Sequence, residues 1–194
     1  KETFRELDAD GVLKAVTAKL ALPLVVKPAR GGSAQGVTIV RKADQLSHAM
    51  IDAYVYCDVA IIERYIEGTE LAISVIDLGA CPLALPAVEI QPATGHFGYQ
   101  ERYTAGETNY FVPARVSKAI AEKAARMAIA VHESLRLRHM SRIDLIVDSK
   151  GVPWFLEANV VPGLTETSLL PQAVVAAGHS LGQVYLDIAK AAIR

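Results

Sequence analysis

Two short apolar runs in the C-terminal half of the chain, separated by a polar turn, limit the possible folds more than any other feature. The runs cover residues 143–147 and 154–158, and Asp148-Ser149-Lys150-Gly151 lies at the start of the link between them. Runs of this length are typical of β-strands, and a tight turn rich in Asp, Ser and Gly joins antiparallel neighbours. The pattern therefore predicts a β-hairpin.

Oxygen-bearing side chains stand at matching positions of the two predicted strands. Because side chains alternate between the two faces of a strand, Asp144 and Ile146 point to one sheet face, as do Glu157 and Asn159 on the partner strand, so one face is expected to carry the oxygens. Three oxygen donors without a nearby histidine or cysteine suit Mg²⁺, which takes its other ligands from water and phosphate. A solvated hairpin face is the alternative, and the apolar neighbours Leu145 and Phe155 argue against it.

The rest of the chain alternates between helical and extended patterns, which predicts an α+β fold. Helices are expected at residues 8–20, 43–54, 116–135, 166–177 and 180–193, and further strands at 24–27, 37–40, 59–64, 70–78 and 83–90. Ser117 suits the cap of the third helix. Polar, glycine-containing residues 91–108 predict a long loop. A change of lobe near residues 64–68 would give a small lobe at 1–64 and a large lobe at 65–194.

Composition narrows the kind of partner. With 194 residues, 52% of them hydrophobic, the chain can bury a substantial core. A net charge of -1 provides no general attraction to nucleic acid or membrane, so a small-molecule partner is expected. The N-terminus is charged and no apolar run reaches the roughly 20 residues that cross a bilayer, so a cytoplasmic location is expected. Cys57 and Cys81 lack metal-site spacing and are predicted to be buried, reduced thiols.

A lysine followed by a glycine-rich loop marks the first predicted lobe. Lys27 ends a short apolar strand, and Gly31, Gly32 and Gly36 follow it. A cation beside exposed backbone N–H groups could hold phosphate oxygens, although an ordinary turn has the same appearance. Because the lysine precedes the glycines, the segment is not a P-loop.

The segment that links the two predicted lobes is rich in charge. It reads IIERYIEGTE at residues 61–70, and its carboxylates could accept hydrogen bonds from an adenine amino group or from ribose hydroxyls. A charged connector with no ligand would look the same. The five histidines show no ligand spacing, and no role is assigned to them.

Four stretches taken together resemble the ATP-grasp enzymes, and within them the D-alanine--D-alanine ligases. They are Val26-Lys27-Pro28 with its loop and residues 63–70, 99–113 and 142–171. The most specific parts are QERYTAG at residues 100–106, EANVVPGLT at 157–165 and TSL at 167–169. The resemblance extends over nearly the whole chain.

The resemblance implies a fold and a set of ligands. The ATP-grasp fold has two α/β lobes with largely antiparallel sheets that clasp ATP. Lys27 and Arg102 would contact the ATP phosphates, while Glu63, Arg64, Ile66 and Glu70 would surround adenine and ribose. Asp144, Glu157 and Asn159 would hold two Mg²⁺ ions, which Mn²⁺ could replace.

The reaction implied by the resemblance joins two D-alanines for peptidoglycan precursor synthesis. The carboxylate of the first D-alanine attacks the γ-phosphate of ATP, and the amine of the second displaces phosphate from the resulting acyl phosphate. By position, Arg142 and the Gly163 N–H match the groups that stabilise the oxyanion. Ser168 and the Leu169 N–H match the groups that hold the carboxylate of the second D-alanine. Ser33 and Tyr103 match residues that close over the first substrate.

The sequence also departs from the family pattern. Arg102 stands where many members have lysine, and Val160 where threonine is frequent, but no metal ligand is lost. Members of the family have an additional N-terminal lobe that binds the first D-alanine, which is expected upstream or in trans, and they commonly form homodimers. Two alternatives remain open: another ATP-grasp amino-acid or peptide ligase, and a nucleotide-binding module that is inactive alone.

Overall fold

The computed structural model describes residues 2, 6, 8–32, 34–92 and 108–193. Contacts divide the chain into two compact units, one running to Tyr65 and the other containing Ile66–Gln91 and the chain from Asn109 onward. Three predicted site residues, Ser33, Arg102 and Tyr103, lie outside the described residues. Within the described ranges, no helix has both the length and the apolar character needed to span a membrane.

The first unit is a small antiparallel sheet covered by helices. Its elements are α1 (Asp8–Thr17), β1 (Leu24–Pro28), β2 (Thr38–Val40), a 3-10 turn (Ala43–Gln45), α2 (Leu46–Tyr56) and β3 (Ala60–Arg64). The strand order is β2-β1-β3, with β1 antiparallel to both neighbours. Alternate residues of β1 are buried and pack with the apolar stripe of α2, which forms the core of this unit.

The second unit is built on a larger sheet. Its elements are β4 (Gly68–Asp77), β5 (Leu83–Ala84), β6 (Val88–Pro92), β7 (Thr108–Phe111), α3 (Lys118–Ser134), β8 (His139–Asp148), β9 (Pro153–Asn159), α4 (Leu169–Ala176) and α5 (Leu181–Ala192). The strands follow the order β7-β6-β4-β8-β9, and β5 pairs with β4. The predicted hairpin is confirmed, since β8 and β9 pair antiparallel.

The core of the second unit lies on one face of this sheet, under α3. Alternate residues of β4 and β8 point to this face, and Ala124 and Ala128 of α3 are fully buried against them. Ser117 caps α3, as predicted, because its side chain accepts a hydrogen bond from the Ile120 N–H. Since one face of β4 and β8 is given to the core, the intervening residues, among them Ser74, Arg142 and Asp144, point to the opposite face.

Several predicted elements are corrected by the structure. The single strand expected at residues 83–90 is two strands, β5 and β6. Pro86 lies between them and has no N–H to donate, and the last hydrogen bond before it runs from the Leu85 N–H to the Ser74 carbonyl. Strand β7 was not predicted. Both cysteines are free thiols, but Cys57 is partly exposed and Cys81 is exposed, so the expectation that they are buried is wrong.

Gly68 is the first residue of β4. It pairs with Asp148 of β8, and a Cβ at this position would overlap the carbonyl of Val147. The close approach of β4 and β8 at this end of the sheet therefore requires glycine.

Candidate functional site

The sheet face opposite α3 carries two adjacent rows of side chains across β4, β8 and β9. One row is Ala72, Asp144 and Glu157, and the next row is Ser74, Arg142 and Asn159. Residues directly opposite in an antiparallel pair have Cβ atoms about 5 Å apart, so Asp144 and Glu157 face each other. The sequence prediction that Asp144, Glu157 and Asn159 share a face is confirmed. These two rows are called the polar face below.

A β-bulge in β9 makes this arrangement possible. The register shifts between Asp144, which pairs with Glu157, and Leu145, which pairs with Phe155, so Leu156 is the extra residue. Without the bulge, Phe155 and Glu157 would share one face of β9. With it, Phe155 turns to the side of α3, where it lines an apolar cavity, and Glu157 joins the polar face.

Arg142 and Asp144 form a bidentate ion pair along β8. The guanidinium donates from Nε to Oδ1 at 2.7 Å and from Nη2 to Oδ2 at 2.8 Å. Burial of the guanidinium disfavours its charge, but the hydrogen bond to Asp144 and the charges of Asp144, Glu157 and Glu70 outweigh that effect and raise the pKa of Arg142. The polar face therefore combines a fully charged arginine with the two carboxylates of Asp144 and Glu157.

The donor set of the polar face fits a hard divalent cation. Within the described residues, no three His, Cys, Asp or Glu side chains form a metal cluster. The donors that the polar face offers are the Asp144 and Glu157 carboxylates and the Asn159 amide. Mg²⁺ characteristically uses one or two protein carboxylates and completes its shell with water and phosphate oxygens. Oxygen donors on paired strands, with negative charge in excess, meet that requirement.

The turn after β9 brings two further predicted residues together. A Cβ on Gly163 would lie 2.5 Å from the Ser168 Oγ, so the glycine backbone packs directly against Ser168. Ser168 precedes α4, and its Oγ is 2.8 Å from the Thr165 hydroxyl. Leu169 is the first residue of α4. Backbone N–H groups at a helix N-terminus favour a carboxylate, so this corner suits an anionic ligand.

In the first unit, Lys27 and Glu63 form an ion pair of 2.8 Å. Glu63 is opposite Val25 in the β1–β3 pair, which makes it the diagonal neighbour of Lys27 on the same face. Arg64 is the last residue of β3, and its side chain is exposed. The structure thus joins a predicted phosphate ligand to a predicted adenine ligand.

The other two predicted adenine and ribose ligands, Ile66 and Glu70, belong to the second unit. Glu70 pairs with Ile146 of β8, one row beyond Ala72 and Asp144. Its side chain therefore lies on the same sheet face as the carboxylates of the polar face. Its negative charge also acts on Arg142.

Two buried polar groups were missed by reasoning from the sequence. Ser74 on the polar face is 1% exposed, and a lone serine in an apolar strand gives no signal of function. On the other face, His132 is also 1% exposed, and its Nδ1 lies 2.7 Å from the Ser141 Oγ. The Nε2 of His132 lies 3.8 Å from Asp77, too far for a hydrogen bond.

Helices packed on antiparallel sheets in two units, with arginine, carboxylates and an amide on paired strands of the larger sheet, define an ATP-grasp protein. The chain belongs to the family described as D-ala D-ala ligase C-terminus, whose model matches residues 1–189.

Similar proteins of known name support this assignment. The D-alanine--D-alanine ligase of Bordetella petrii is 36% identical over 185 residues, which are 95% of this chain and 57% of that protein. The D-alanine--D-alanine ligase of Pelotomaculum thermopropionicum is 38% identical over 178 residues, which are 92% of this chain and 55% of that protein. The chain thus spans a little over half the length of these relatives.

Solved structures agree with the fold. The VanG D-Ala:D-Ser ligase from Enterococcus faecalis superimposes with a TM-score of 0.83 at 27% identity, covering 96% of this chain and 54% of that chain. The D-alanine--D-alanine ligase from Bacillus anthracis complexed with ATP gives a TM-score of 0.76 at 29% identity, covering 92% of this chain and 55% of that chain. Both are ligases named for D-amino acids.

Proposed function

We propose that this chain is the ATP-binding catalytic part of a D-alanine--D-alanine ligase, which joins two D-alanines for peptidoglycan precursor synthesis. The observation that supports it best is the polar face, where Arg142, Asp144, Glu157 and Asn159 occupy two adjacent rows of paired strands. An ATP complex of a related ligase with this fold supports ATP as the nucleotide.

The metal would be held by the oxygens of the polar face. In this proposal Asp144, Glu157 and Asn159 ligate two Mg²⁺ ions, or Mn²⁺ in their place. When bound, the ions neutralise the charge of the ATP phosphates and of the phosphoryl group in transfer.

Nucleotide ligands are proposed in each of the two units. Lys27 and Arg102 would contact phosphate oxygens, while Glu63, Arg64, Ile66 and Glu70 would contact adenine and ribose. The Lys27–Glu63 ion pair supports this assignment, because each partner restrains the other near the ligand it would bind. Glu63 thereby helps to position the ammonium group as well as the base.

The chemistry requires positioning and charge neutralisation rather than a protein nucleophile. The carboxylate of the first D-alanine attacks the γ-phosphate, and the amine of the second displaces phosphate from the acyl phosphate. Arg142 and the Gly163 N–H would stabilise the oxyanion of the tetrahedral intermediate. Ser168 and the Leu169 N–H would hold the carboxylate of the second D-alanine, an assignment supported by the contact of Gly163 with Ser168. Ser33 and Tyr103 would close over the first substrate.

A substrate panel tests the proposal. ADP release by the chain is measured with Mg-ATP and D-alanine, D-alanine with D-lactate, D-serine, or L-amino acids. Turnover with D-alanine alone, and its loss in Asp144→Ala, is the expected result. Activity confined to L-amino acids would instead identify another ATP-grasp ligase. The chain covers just over half of its relatives, so calorimetry with ADP and Mg²⁺ is run in parallel. Binding without turnover would identify a nucleotide-binding module that is inactive alone.

A further inference from the structure

Ser74 places a buried hydroxyl on the polar face. Among the residues that the structure describes, its Oγ has no hydrogen-bond partner. A buried hydroxyl without a partner is unfavourable, and each instance in a native protein calls for a physical explanation. The buried serine on the opposite face of the same sheet, Ser141, is satisfied by His132. The contrast indicates that Ser74 gains its partner in another state of the site.

Arg142 is the residue directly opposite Ser74 on the neighbouring strand β8. The two residues are directly opposite in the β4–β8 pair, so their side chains share the polar face with Cβ atoms about 5 Å apart. The guanidinium turns away along β8, where Nε and Nη2 bind both oxygens of Asp144. Ala72, the β4 residue opposite Asp144, has no polar side-chain atom. Ser74 is therefore the β4 side chain in this pair of rows that could accept a hydrogen bond.

We propose that Ser74 is a positioning residue that receives the Arg142 guanidinium when Asp144 becomes a metal ligand. This inference rests on the proposed function, in which Asp144 binds Mg²⁺ and Arg142 faces the oxyanion. In this proposal the metal takes the Asp144 lone pairs that the guanidinium holds in the metal-free protein, and the Arg142–Asp144 pair opens. The Ser74 Oγ offers lone pairs to the released N–H groups and keeps the cation on the polar face.

This exchange would make arginine and metal work together instead of excluding each other. While Arg142 is bound to Asp144, its positive charge is neutralised by a carboxylate of the protein. Once bound to the neutral Ser74 hydroxyl, the same charge is available to an anion above the sheet. Ser74 therefore lowers the cost of metal binding and sets the position of the oxyanion ligand.

The partner of Arg142 can be followed by NMR, because the Nε–H resonance of an arginine reports on its acceptor. The signal is assigned by its loss in Arg142→Lys, and spectra are recorded without metal and with Mg²⁺ and ADP. We expect the Ser74→Ala signal to match the wild type without metal and to differ from it with Mg²⁺ and ADP. Identical spectra of the two proteins in both states would overturn the proposal.

Metal affinity provides the second readout. Binding of Mn²⁺ in the presence of ADP is measured by electron paramagnetic resonance. We expect Ser74→Ala to weaken it about tenfold, since a hydrogen bond to a charged group is lost only in the metal-bound state. Ser74→Thr, which retains the hydroxyl, should restore the affinity. Ser141→Ala is the matched control, a buried serine of the same sheet that should lose stability without losing Mn²⁺ affinity.

The outcomes separate this inference from the proposed function. If the wild-type chain binds neither Mg²⁺ nor Mn²⁺ with ADP, both fail. If the wild type binds metal and Ser74→Ala binds it equally well, the function stands and the role of Ser74 falls. Stability of the metal-free protein completes the comparison, and it should be unchanged or higher in Ser74→Ala. A fall as large as that of Ser141→Ala would show that Ser74 is merely structural.

Discussion

Asp144 and Glu157 face each other across the β8–β9 hairpin, directly beside the bulged residue Leu156. Two carboxylates at adjacent positions repel each other unless a cation lies near both. Removing either charge should weaken Mg²⁺ binding with ADP by about 10- to 100-fold, as in Asp144→Asn or Glu157→Gln. Calorimetry measures the effect, and Glu122→Gln on the exposed side of α3 is the control. Unchanged affinity in both site variants would exclude a metal at this position.

Arg142 stabilises the metal-free polar face, because it is the cation that pairs with Asp144 and feels the charges of Glu157 and Glu70. Arg142→Gln should lower the free energy of unfolding by about 3–5 kcal/mol, the usual cost of breaking a buried ion pair. Mg²⁺ should stabilise this variant more than the wild type, because the variant lacks the arginine charge that balances the carboxylates in the wild type. Thermal melts with and without Mg²⁺ test this, and equal shifts in the two proteins would contradict it.

Glu89 and Arg115 tie β6 to the segment before α3. The carboxylate accepts hydrogen bonds from the Arg115 backbone N–H and from its Nε and Nη2. The side-chain bond to Arg115 is the main cause that lowers the pKa of Glu89 from 4.5. A lowered carboxyl pKa gives stability that is present above 4.5 and is lost as pH falls through the folded value.

Glu89→Gln should therefore destabilise the protein by about 1–3 kcal/mol at pH 7 and lose less stability on acidification than the wild type. Urea unfolding between neutral and acidic pH measures both effects. Glu122→Gln again serves as the exposed control. Parallel pH profiles for Glu89→Gln and the wild type would disprove the role of this ion pair.

His132 should make stability depend on pH at higher pH than Glu89 does, in a window just below 6.5. Burial lowers the pKa of His132 below the ordinary histidine value of 6.5, although the nearby charges of Asp77 and Glu133 oppose the shift. Between the folded pKa and 6.5 the unfolded chain binds the proton and the folded chain does not, so stability falls as pH decreases through this window. His132→Gln should flatten the profile there, and His48→Gln, at an exposed position, should not.

Arg136 ends α3 in the left-handed region, with φ of 52°. The N–H of Leu137 bonds the His132 carbonyl and that of Arg136 bonds the Glu133 carbonyl, a Schellman arrangement in which glycine is preferred. Arg136→Gly should raise the free energy of unfolding by about 0.5–1 kcal/mol, the relief of left-handed strain less the added entropy of the unfolded chain. Arg138→Gly, at a position without positive φ, should not stabilise. Chemical denaturation compares the two.

The sequence was sufficient for the hairpin and for placing Glu157 and Asn159 on one face of β9, because strand alternation depends only on local geometry. The bulge at Leu156, which brings Glu157 to the face of Asp144 and turns Phe155 to the side of α3, could not be predicted. Strand pairing and packing across the sheet determine where a bulge forms, and no residue near Leu156 signals it in the sequence.

Other differences have the same origin. The split between β5 and β6 follows from Pro86, which could have been weighed from the sequence. The position of Ser74 opposite Arg142 could not, because pairing of β4 with β8 joins residues far apart in the chain. The left-handed end of α3 also gave no sequence signal, because Arg136 stands where glycine would be expected.

Along the middle of β8, residues of the polar face and residues of the core strictly alternate, with Arg142 and Asp144 on one side and Ile143 and Leu145 on the other. Inserting or deleting one residue in β8 would turn each of these side chains to the opposite face, placing two charges in the hydrophobic core and two aliphatic groups on the polar face. A substitution in β8 therefore changes one side chain on one face, whereas a change of length disrupts both the core and the polar face at once. Length variation among relatives should consequently spare β8 and accumulate in the connections around it.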